Sequence, residues 1–261
     1  MIIILSPAKK MRTDTDSFPV RGLPPFLDKT EALLSALRAM TPEALQKLWK
    51  CNDSIAALNV ERLVGMDLRH DLTPALFAYE GIAYQYMAPH VFTYDQLEYV
   101  AKHLRILSGF YGLLRPFDGV TPYRLEMGAK LSVGGCRDLY EFWGASLAEH
   151  ICAESDCVIN LASKEYSRSV EKHLTPGTRF VTVVFGEHIA GKTVEKGTMC
   201  KMARGEMVRF MAENRVERPE ELRDFDRLGY RFRPEESDGL LYTFIREPAE
   251  MRDEAAERGE A

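Results

Sequence analysis

The stretch LRILSGFYGLLRPFDGVTPYRLEMG, residues Leu104 to Gly128, says most about how this chain folds. It combines four glycines and two prolines with many aliphatic and aromatic residues. Regular strands and helices tolerate few glycines or prolines, whereas solvated loops carry few large apolar side chains. We therefore expect an ordered, packed segment with special backbone conformations. Gly109 or Gly112 should have a positive φ, which glycine adopts at the lowest cost.

Three arginines belong to this segment, Arg105, Arg115 and Arg124. A guanidinium held beside aromatic rings suits the recognition of phosphates and bases, because it binds oxyanions in a fork and stacks on π-faces. The alternative is a buried turn whose arginines pair with internal carboxylates. Composition supports both interpretations equally.

The charge of the chain is unevenly distributed. With 261 residues, 46% of them hydrophobic and 28% charged, the chain is globular and long enough to bury a core. The net charge of −5 gives no support for general nucleic-acid affinity. However, residues 102–137 hold six basic and two acidic residues, and residues 192–215 hold six and three. From Glu217 onward fourteen acidic residues outnumber eight arginines, so an acidic C-terminal region can conceal a basic face elsewhere.

Several classes of protein are disfavoured by the sequence. The five cysteines are odd in number and form no C-x-x-C pair, which predicts free thiols. The opening MIIILSPAKK has an apolar run too short for a signal peptide or a membrane span, so we expect a cytoplasmic protein without membrane association. The six histidines do not cluster with other ligands at metal-binding spacing. We expect neither a metal site nor a cofactor.

Hydrophobic periodicity predicts one mixed α/β domain over residues 1–247, with a helical insertion after the first strand, and a charged, disordered tail over residues 248–261. The predicted strands cover about 2–5, 157–161, 180–185, 192–196, 229–233 and 240–245. The predicted helices, several of them with N-cap signals, cover about 28–39, 42–50, 53–66, 94–103, 138–153 and 198–215, with a short one behind Ser163.

Two polar turns follow predicted strands, where α/β proteins commonly bind ligands. Residues 6–10, SPAKK, follow the first strand. Residues 160–166, NLASKEY, end another strand and begin a helix, whose free backbone N–H groups can bind an anion. Lys201 and Arg204 lie three residues apart on one helical face. Each signal also has an ordinary explanation, such as a helix cap at Ser163 or a solvated helix face.

Taken together, these segments resemble the YaaA family of bacterial peroxide-stress proteins. The resemblance rests on SPAK, LSGFYGLLRPFDGVTPYRLEMG, DLYEFWG, NLASKEYSRSV and KMARGEMVRF, and continues through GYRF and LLYTFIRE. It implies a single domain of unusual mixed α/β (α+β) fold, with a positively charged cleft and a helix-hairpin-helix-like element that binds duplex DNA. It also implies protection from peroxide, through recombinational repair or through limiting free iron. No catalytic activity follows from it.

The resemblance also implies which residues contact DNA. The helix-hairpin-helix would comprise Tyr94–His103, the turn 107–112 and the residues up to Arg115. Gly109 and Gly112 would offer backbone N–H groups to phosphates, although two residues separate them instead of the usual one. Six basic residues match family positions and would line the cleft: Lys9, Arg115, Arg124, Lys164, Lys201 and Arg204. Arg105 completes the set of expected DNA contacts.

This chain departs from the family pattern at two places. Residues 81–84 read Gly-Ile-Ala-Tyr and lack the aspartate of the usual Gly-Asp-Val-Tyr, which removes an acid or base at that position. Lys201-Met202 stands where relatives usually show two lysines before Ala-Arg-Gly, which predicts a less basic cleft.

The leading hypothesis is a sequence-independent binder of duplex or structured DNA in the peroxide response. The alternative is an enzyme acting on a nucleic acid or nucleotide in the same cleft, with Glu126, Glu165 and Tyr166 as candidate catalytic residues. The two glutamates could instead neutralise Arg124 and Lys164. Direct iron binding is a third hypothesis, which the lack of a histidine and carboxylate cluster disfavours.

Overall fold

A computed structural model describes residues 1–247. The tail predicted over residues 248–261 lies outside the described residues. The strands are β1 Ile2–Leu5, β2 Lys10–Met11, β3 Thr73–Pro74, β4 Tyr79–Glu80, β5 Leu104–Ser108, β6 Gly112–Leu114, β7 Gly119–Val120, β8 Cys157–Asn160, β9 Arg179–Ile189, β10 Lys192–Val194, β11 Tyr230–Phe232 and β12 Leu241–Arg246. The helices are α1 Leu27–Arg38, α2 Pro42–Trp49, α3 Asp53–Gly65, α4 Ala75–Ala78, α5 Ile82–Met87, α6 Tyr94–His103, α7 Leu139–Trp143, α8 Ser146–Glu154, α9 Lys164–Glu171 and α10 Gly197–Asn214.

A mixed sheet organises the described part of the chain, as the predicted mixed α/β class requires. Strands β12, β9, β8, β1 and β5 lie side by side in this order and run parallel. Strands β11 and β6 pair antiparallel at the two ends, and β10 pairs antiparallel with β9. Strand β1 is central and buried along its whole length, as its unbroken IIIL run predicts for a parallel strand covered on both faces.

The order of the strands creates a switch point beside β1. The chain passes from β1 through the predicted helical insertion, α1 to α6, to β5 on one side of β1. It then crosses to β8 on the other side of β1. The loops after β1 and β8 therefore leave the same edge of the sheet in different directions and open a crevice, where open α/β sheets bind ligands.

Most predicted elements are present, and one predicted helix is divided. The capping box of Thr93 and Gln96 begins α6. The helix predicted over 138–153 consists of two, α7 and α8, because Gly144 between them has φ 50° and ψ −132°. This conformation lies outside the helical region, so the chain must turn there.

The segment Leu104–Gly128 is ordered and packed as expected, with Gly112 at a φ of 75°. The predicted helix-hairpin-helix over residues 94–115 is wrong, because α6 leads into the antiparallel pair β5 and β6 and residues 104–115 contain no helix. The physical reason is burial: every residue of β5 is buried in the sheet. Helices α2 and α3, joined by residues 50–52, do form a pair of helices with a short connection.

Backbone N–H groups in the turn between β5 and β6 donate hydrogen bonds to a side chain of the same turn. Ser108 Oγ accepts hydrogen bonds from the N–H groups of Phe110 and Tyr111 at 3.1 and 2.9 Å. Both residues are fully buried. The N–H groups of Phe110 and Tyr111 are therefore used within the turn and cannot bind phosphates as the hairpin prediction required.

Gly112→Ala is expected to destabilise the fold through two effects. A Cβ at residue 112 would lie 2.6 Å from an atom of the buried Trp143 ring, in addition to the strain of its positive φ. Gly134 has a φ of 60° and no atom near an added Cβ, so Gly134→Ala measures the strain alone. In urea denaturation, we expect Gly134→Ala to lower the free energy of unfolding by about 1–2 kcal/mol. Gly112→Ala should lower it by about 1–3 kcal/mol more. Equal losses would mean that packing against Trp143 contributes nothing.

Candidate functional site

A cleft of about 410 Å³ lies at the carboxyl edges of β1 and β8. Its walls come from residues 5–10 after β1 and from Leu161 and Ser163 after β8. Residues 80–84 and 123–126, Glu165 and Tyr166 of α9, and Lys201 and Arg204 of α10 complete it. The cleft thus occupies the crevice that the strand order creates beside β1.

Hydrogen bonds join the two loops at the base of the cleft. The Ser163 N–H donates to Ser6 Oγ at 2.8 Å, and the Ser6 hydroxyl donates to Ser163 Oγ at 3.2 Å. Tyr84 Oη donates to the Ser6 carbonyl at 3.0 Å. Ser163 precedes α9, and its carbonyl accepts from the N–H groups of Tyr166 and Ser167. Like every helix start, the first turn of α9 has N–H groups without a partner in the helix, which favour an anion.

Four of the predicted basic residues line this cleft. They come from three distant parts of the chain and are Lys9, Arg124, Lys201 and Arg204. The side chains of Arg124 and Arg204 are only 10% and 15% exposed, whereas that of Lys9 is 68% exposed. The Nε atoms of both arginines are buried, and neither forms a hydrogen bond to the described residues. Two poorly satisfied guanidiniums therefore lie inside the cleft, with lysines nearer to solvent.

Carboxylates balance part of this charge. Glu126 Oε1 lies 3.7 Å from Lys9 Nζ and 3.7 Å from an Arg124 guanidinium nitrogen, too far for a hydrogen bond in either case. Glu195 Oε1 is 3.5 Å from an Arg204 nitrogen, and Glu80 forms an ion pair with Lys10 at 3.0 Å. The cleft is therefore mixed in charge, and its buried guanidiniums have only loose partners.

The two candidate catalytic glutamates have different environments. Glu126 contacts two cations of the cleft, so it could neutralise Arg124 as the sequence allowed. Glu165 does not pair with Lys164, because its Oε1 accepts the Gly128 N–H at 2.8 Å. Glu165 thereby fastens the end of the 123–128 segment to α9, which is a structural role.

The tyrosines of the cleft are neutral. Burial raises the pKa of Tyr123 and Tyr166 far above the usual value, and that of Tyr84 likewise. Tyr123 Oη shares short hydrogen bonds with Tyr79 Oη at 2.8 Å and Ser108 Oγ at 2.6 Å. Tyr166 is therefore a protonated wall residue at neutral pH, which disfavours it as a general base.

The remaining predicted site residues lie outside the cleft. Arg105 is buried and bonds Glu154 at 2.8 Å, and Arg115 bonds Asp118 at 3.2 Å. Lys164 points to Glu171 at 3.2 Å. Gly109 and Gly112 are packed in the interior, where a Cβ on Gly109 would come within 2.4 Å of the Leu125 carbonyl oxygen. None of these five residues lines the cleft, so the prediction that Arg115 and Lys164 lie there is wrong. Arg105, Gly109 and Gly112 are buried within the fold, whereas Arg115 and Lys164 have exposed side chains, and their contact with DNA stays a prediction.

Sequence reasoning missed how α5 and α10 meet. Gly205 lies against α5 so closely that a Cβ would be 2.0 Å from the Ala83 carbonyl oxygen. This contact places Lys201 and Arg204 beside residues 82–84 on the cleft wall. The signal was a glycine inside a strongly helical pattern, which often marks close packing.

Residues 1–247 offer neither a cluster of metal ligands nor a membrane-spanning helix. No group of three or more histidine, cysteine, aspartate or glutamate side chains in this range is arranged to hold a metal ion. None of the helices there combines the length and apolarity that crossing a bilayer would need.

Comparison with known proteins identifies the family. The family described as peroxide stress protein YaaA matches residues 1–236. A UPF0246 protein of Agathobacter rectalis is 55% identical over 249 residues, which cover 95% of this chain and 100% of the relative. A UPF0246 protein of Lachnoclostridium phytofermentans is 49% identical, over 97% of this chain and 99% of the relative. A UPF0246 protein of Pediococcus pentosaceus is 50% identical, over 94% of this chain and 98% of the relative. The resemblance seen in the sequence motifs is confirmed, and the chain belongs to the YaaA family of peroxide stress proteins.

Proposed function

We propose that this protein binds DNA without regard to base sequence, through the cleft beside β1, and so protects DNA or limits free iron during peroxide stress. The observation that carries the proposal is the convergence of Lys9, Arg124, Lys201 and Arg204 in one concave site. A chain with a net charge of −5 gathers these cations from three distant segments. A groove of this kind concentrates positive potential locally, whatever the total charge.

The buried guanidiniums favour phosphate as the ligand. A buried donor without a partner costs about 1–3 kcal/mol, and more when the group is charged. The Nε atoms of Arg124 and Arg204 have no hydrogen-bond partner among the described residues. Phosphate oxygens accept the forked hydrogen bonds that guanidiniums donate. The terminal nitrogens of Arg124 and Arg204 have carboxylate oxygens only at 3.7 and 3.5 Å, so a phosphate in the cleft would offer these guanidiniums closer acceptors.

Sequence independence follows from the groups that the cleft presents. Guanidinium, ammonium and helix N-terminal N–H groups bind phosphate oxygens, which are the same at every base pair. The more exposed Lys9 and Lys201 would contact the backbone outside the cleft mouth. We therefore assign to this cleft the phosphate contacts that the sequence had suggested for the hairpin.

Arg204→Ala tests the assignment directly. We expect it to weaken binding to two labelled 20-bp duplexes of unrelated sequence by about tenfold each, because one charge-assisted contact is lost. Arg209→Ala is the matched control on the same helix, since Arg209 bonds Glu213 at 2.7 Å and does not line the cleft. Fluorescence anisotropy at fixed salt measures both. Equal affinities for the two variants, or an effect on one sequence only, would refute the cleft as the DNA site.

An enzyme acting on DNA or nucleotides is the second candidate, because Glu126 lies between two cations in a concave site. Glu126→Gln separates the two functions. For a binding protein it should tighten DNA binding roughly two- to fivefold, because a carboxylate that competes for Lys9 and Arg124 is removed. For an enzyme with Glu126 as general base, it should abolish turnover without tighter binding. Glu171→Gln, beside Lys164 outside the cleft, is the control.

A further inference from the structure

The size of the cleft limits what can enter it. Its volume of about 410 Å³ lies near the lower end of the range of about 300–1,000 Å³ typical of small-molecule sites. A double helix cannot enter a cavity of this volume. A single nucleotide unit can, whether it is free or belongs to a DNA strand.

Several groups that line the cleft can bind an anion. The Arg124 side chain is nine-tenths buried, lines the cleft and has an Nε without a hydrogen-bond partner among the described residues. Arg204 also lines the cleft, and its Nε likewise has no hydrogen-bond partner among the described residues. Ser163 and the first turn of α9 add a hydroxyl and helix N-terminal N–H groups. Three independent features therefore favour a phosphate there.

Other residues that line the cleft are aliphatic or aromatic. They include Ile82, Ala83, Tyr84, Tyr123 and Tyr166, and the three tyrosines are 4–7% exposed. An inorganic phosphate would leave this surface uncovered. A planar base and its deoxyribose would cover it, since bases pack well on apolar and aromatic groups.

We propose that the cleft is a pocket for one nucleotide, with the phosphate at Arg124, Arg204 and the start of α9, and the base against the apolar wall. This inference rests on the proposed function, because it uses the same cations. The nucleotide has two sources with the same chemistry: a nucleoside monophosphate in solution, or an unpaired nucleotide of DNA turned into the pocket.

Calorimetry on the full chain tests the pocket with four probes: dAMP, deoxyadenosine, deoxyribose 5-phosphate and inorganic phosphate. We expect dAMP to bind at least about tenfold more tightly than each of the others, because only dAMP offers both a phosphate for the guanidiniums and a base for the apolar residues. Arg204→Ala should weaken dAMP binding by about tenfold or more, whereas Arg209→Ala should leave it unchanged. Arg204→Lys, which keeps the charge but not the fork, should give partial rescue if the variant is folded.

DNA probes then distinguish the source of the nucleotide. If the pocket takes nucleotides from DNA, dAMP should displace a duplex with a central unpaired bubble more readily than a fully paired duplex. If dAMP binds but displaces neither DNA, the pocket serves free nucleotides. Both results support a nucleotide pocket.

Two other results separate this inference from the proposed function. If the protein binds dAMP but no DNA, the nucleotide pocket is supported and the proposed DNA-binding function is refuted. Salt-dependent binding of duplex DNA without dAMP binding at 10 mM, or with equal affinities for dAMP and inorganic phosphate, would overturn the nucleotide pocket and keep the DNA function.

Discussion

Gly205→Ala is expected to lower the free energy of unfolding by about 3 kcal/mol. The added Cβ would lie 2.0 Å from the oxygen and 2.8 Å from the carbon of the Ala83 carbonyl. The obstacle is backbone, so no side-chain rotation can relieve it. Helices α5 and α10 would have to separate, which would also displace Arg204 from the cleft wall. Urea denaturation should show the loss of stability, and fluorescence anisotropy should show weaker DNA binding by the same variant.

Gly197→Ala provides the matched control. Gly197 is the first residue of the same helix, and an added Cβ there would have no atom within 4 Å. Because alanine favours helix more than glycine does, Gly197→Ala should be neutral or slightly stabilising. A loss below 0.5 kcal/mol for Gly205→Ala would show that α5 and α10 are not held at this distance.

Reversing two exposed charges in the cleft is expected to reduce DNA affinity by about 100-fold at 0.1 M salt. The variant is Lys9→Glu combined with Lys201→Glu. Both side chains are exposed, so the fold should survive the change. Two attractive contacts with phosphates would become repulsive, and the negative potential would extend over the cleft mouth.

The control must carry the same change in net charge. Lys172→Glu combined with Lys192→Glu reverses two exposed lysines that do not line the cleft. If the site is local, this pair should change affinity by less than about threefold. Similar losses in both double variants would mean that total charge, and not the cleft, governs binding.

The elements with strong local signals could be predicted from the sequence. The IIIL run identified the central strand, and the Thr93 and Gln96 pattern identified the start of α6. The two polar turns after β1 and β8 were both predicted as candidate ligand loops. Their contact, through Ser6 and Ser163, depends on the strand order, which the sequence did not reveal.

The arginines show why the site was only partly predictable. Two of the three arginines in the central segment form the internal ion pairs of the second interpretation, while phosphate recognition stays a prediction for the third. Arg105 forms an ion pair with Glu154, 49 residues away, and Arg115 forms one with Asp118. Arg124 lines the cleft, and its carboxylate neighbour Glu126 lies 3.7 Å away. Which arginine meets a carboxylate depends on tertiary contacts between segments that lie far apart in the sequence.

The helix-hairpin-helix prediction failed for a related reason. It rested on family resemblance and on the glycines of the turn, whereas the residues 104–108, LRILS, have the apolar character of a buried strand. Pairing with β1 in the middle of the sheet determines their structure. Local glycine spacing does not encode that pairing.

The salt dependence of binding to a duplex tests the central claim, that the cleft binds the DNA backbone, most directly. If Lys9 and Lys201 each neutralise one phosphate and Arg124 and Arg204 share a third, the slope of log affinity against log salt should be about −3, at roughly −0.9 per phosphate. Lys201→Ala should flatten this slope by about one unit. A slope near zero in the unaltered protein, or a slope that Lys201→Ala leaves unchanged, would contradict binding through this cleft.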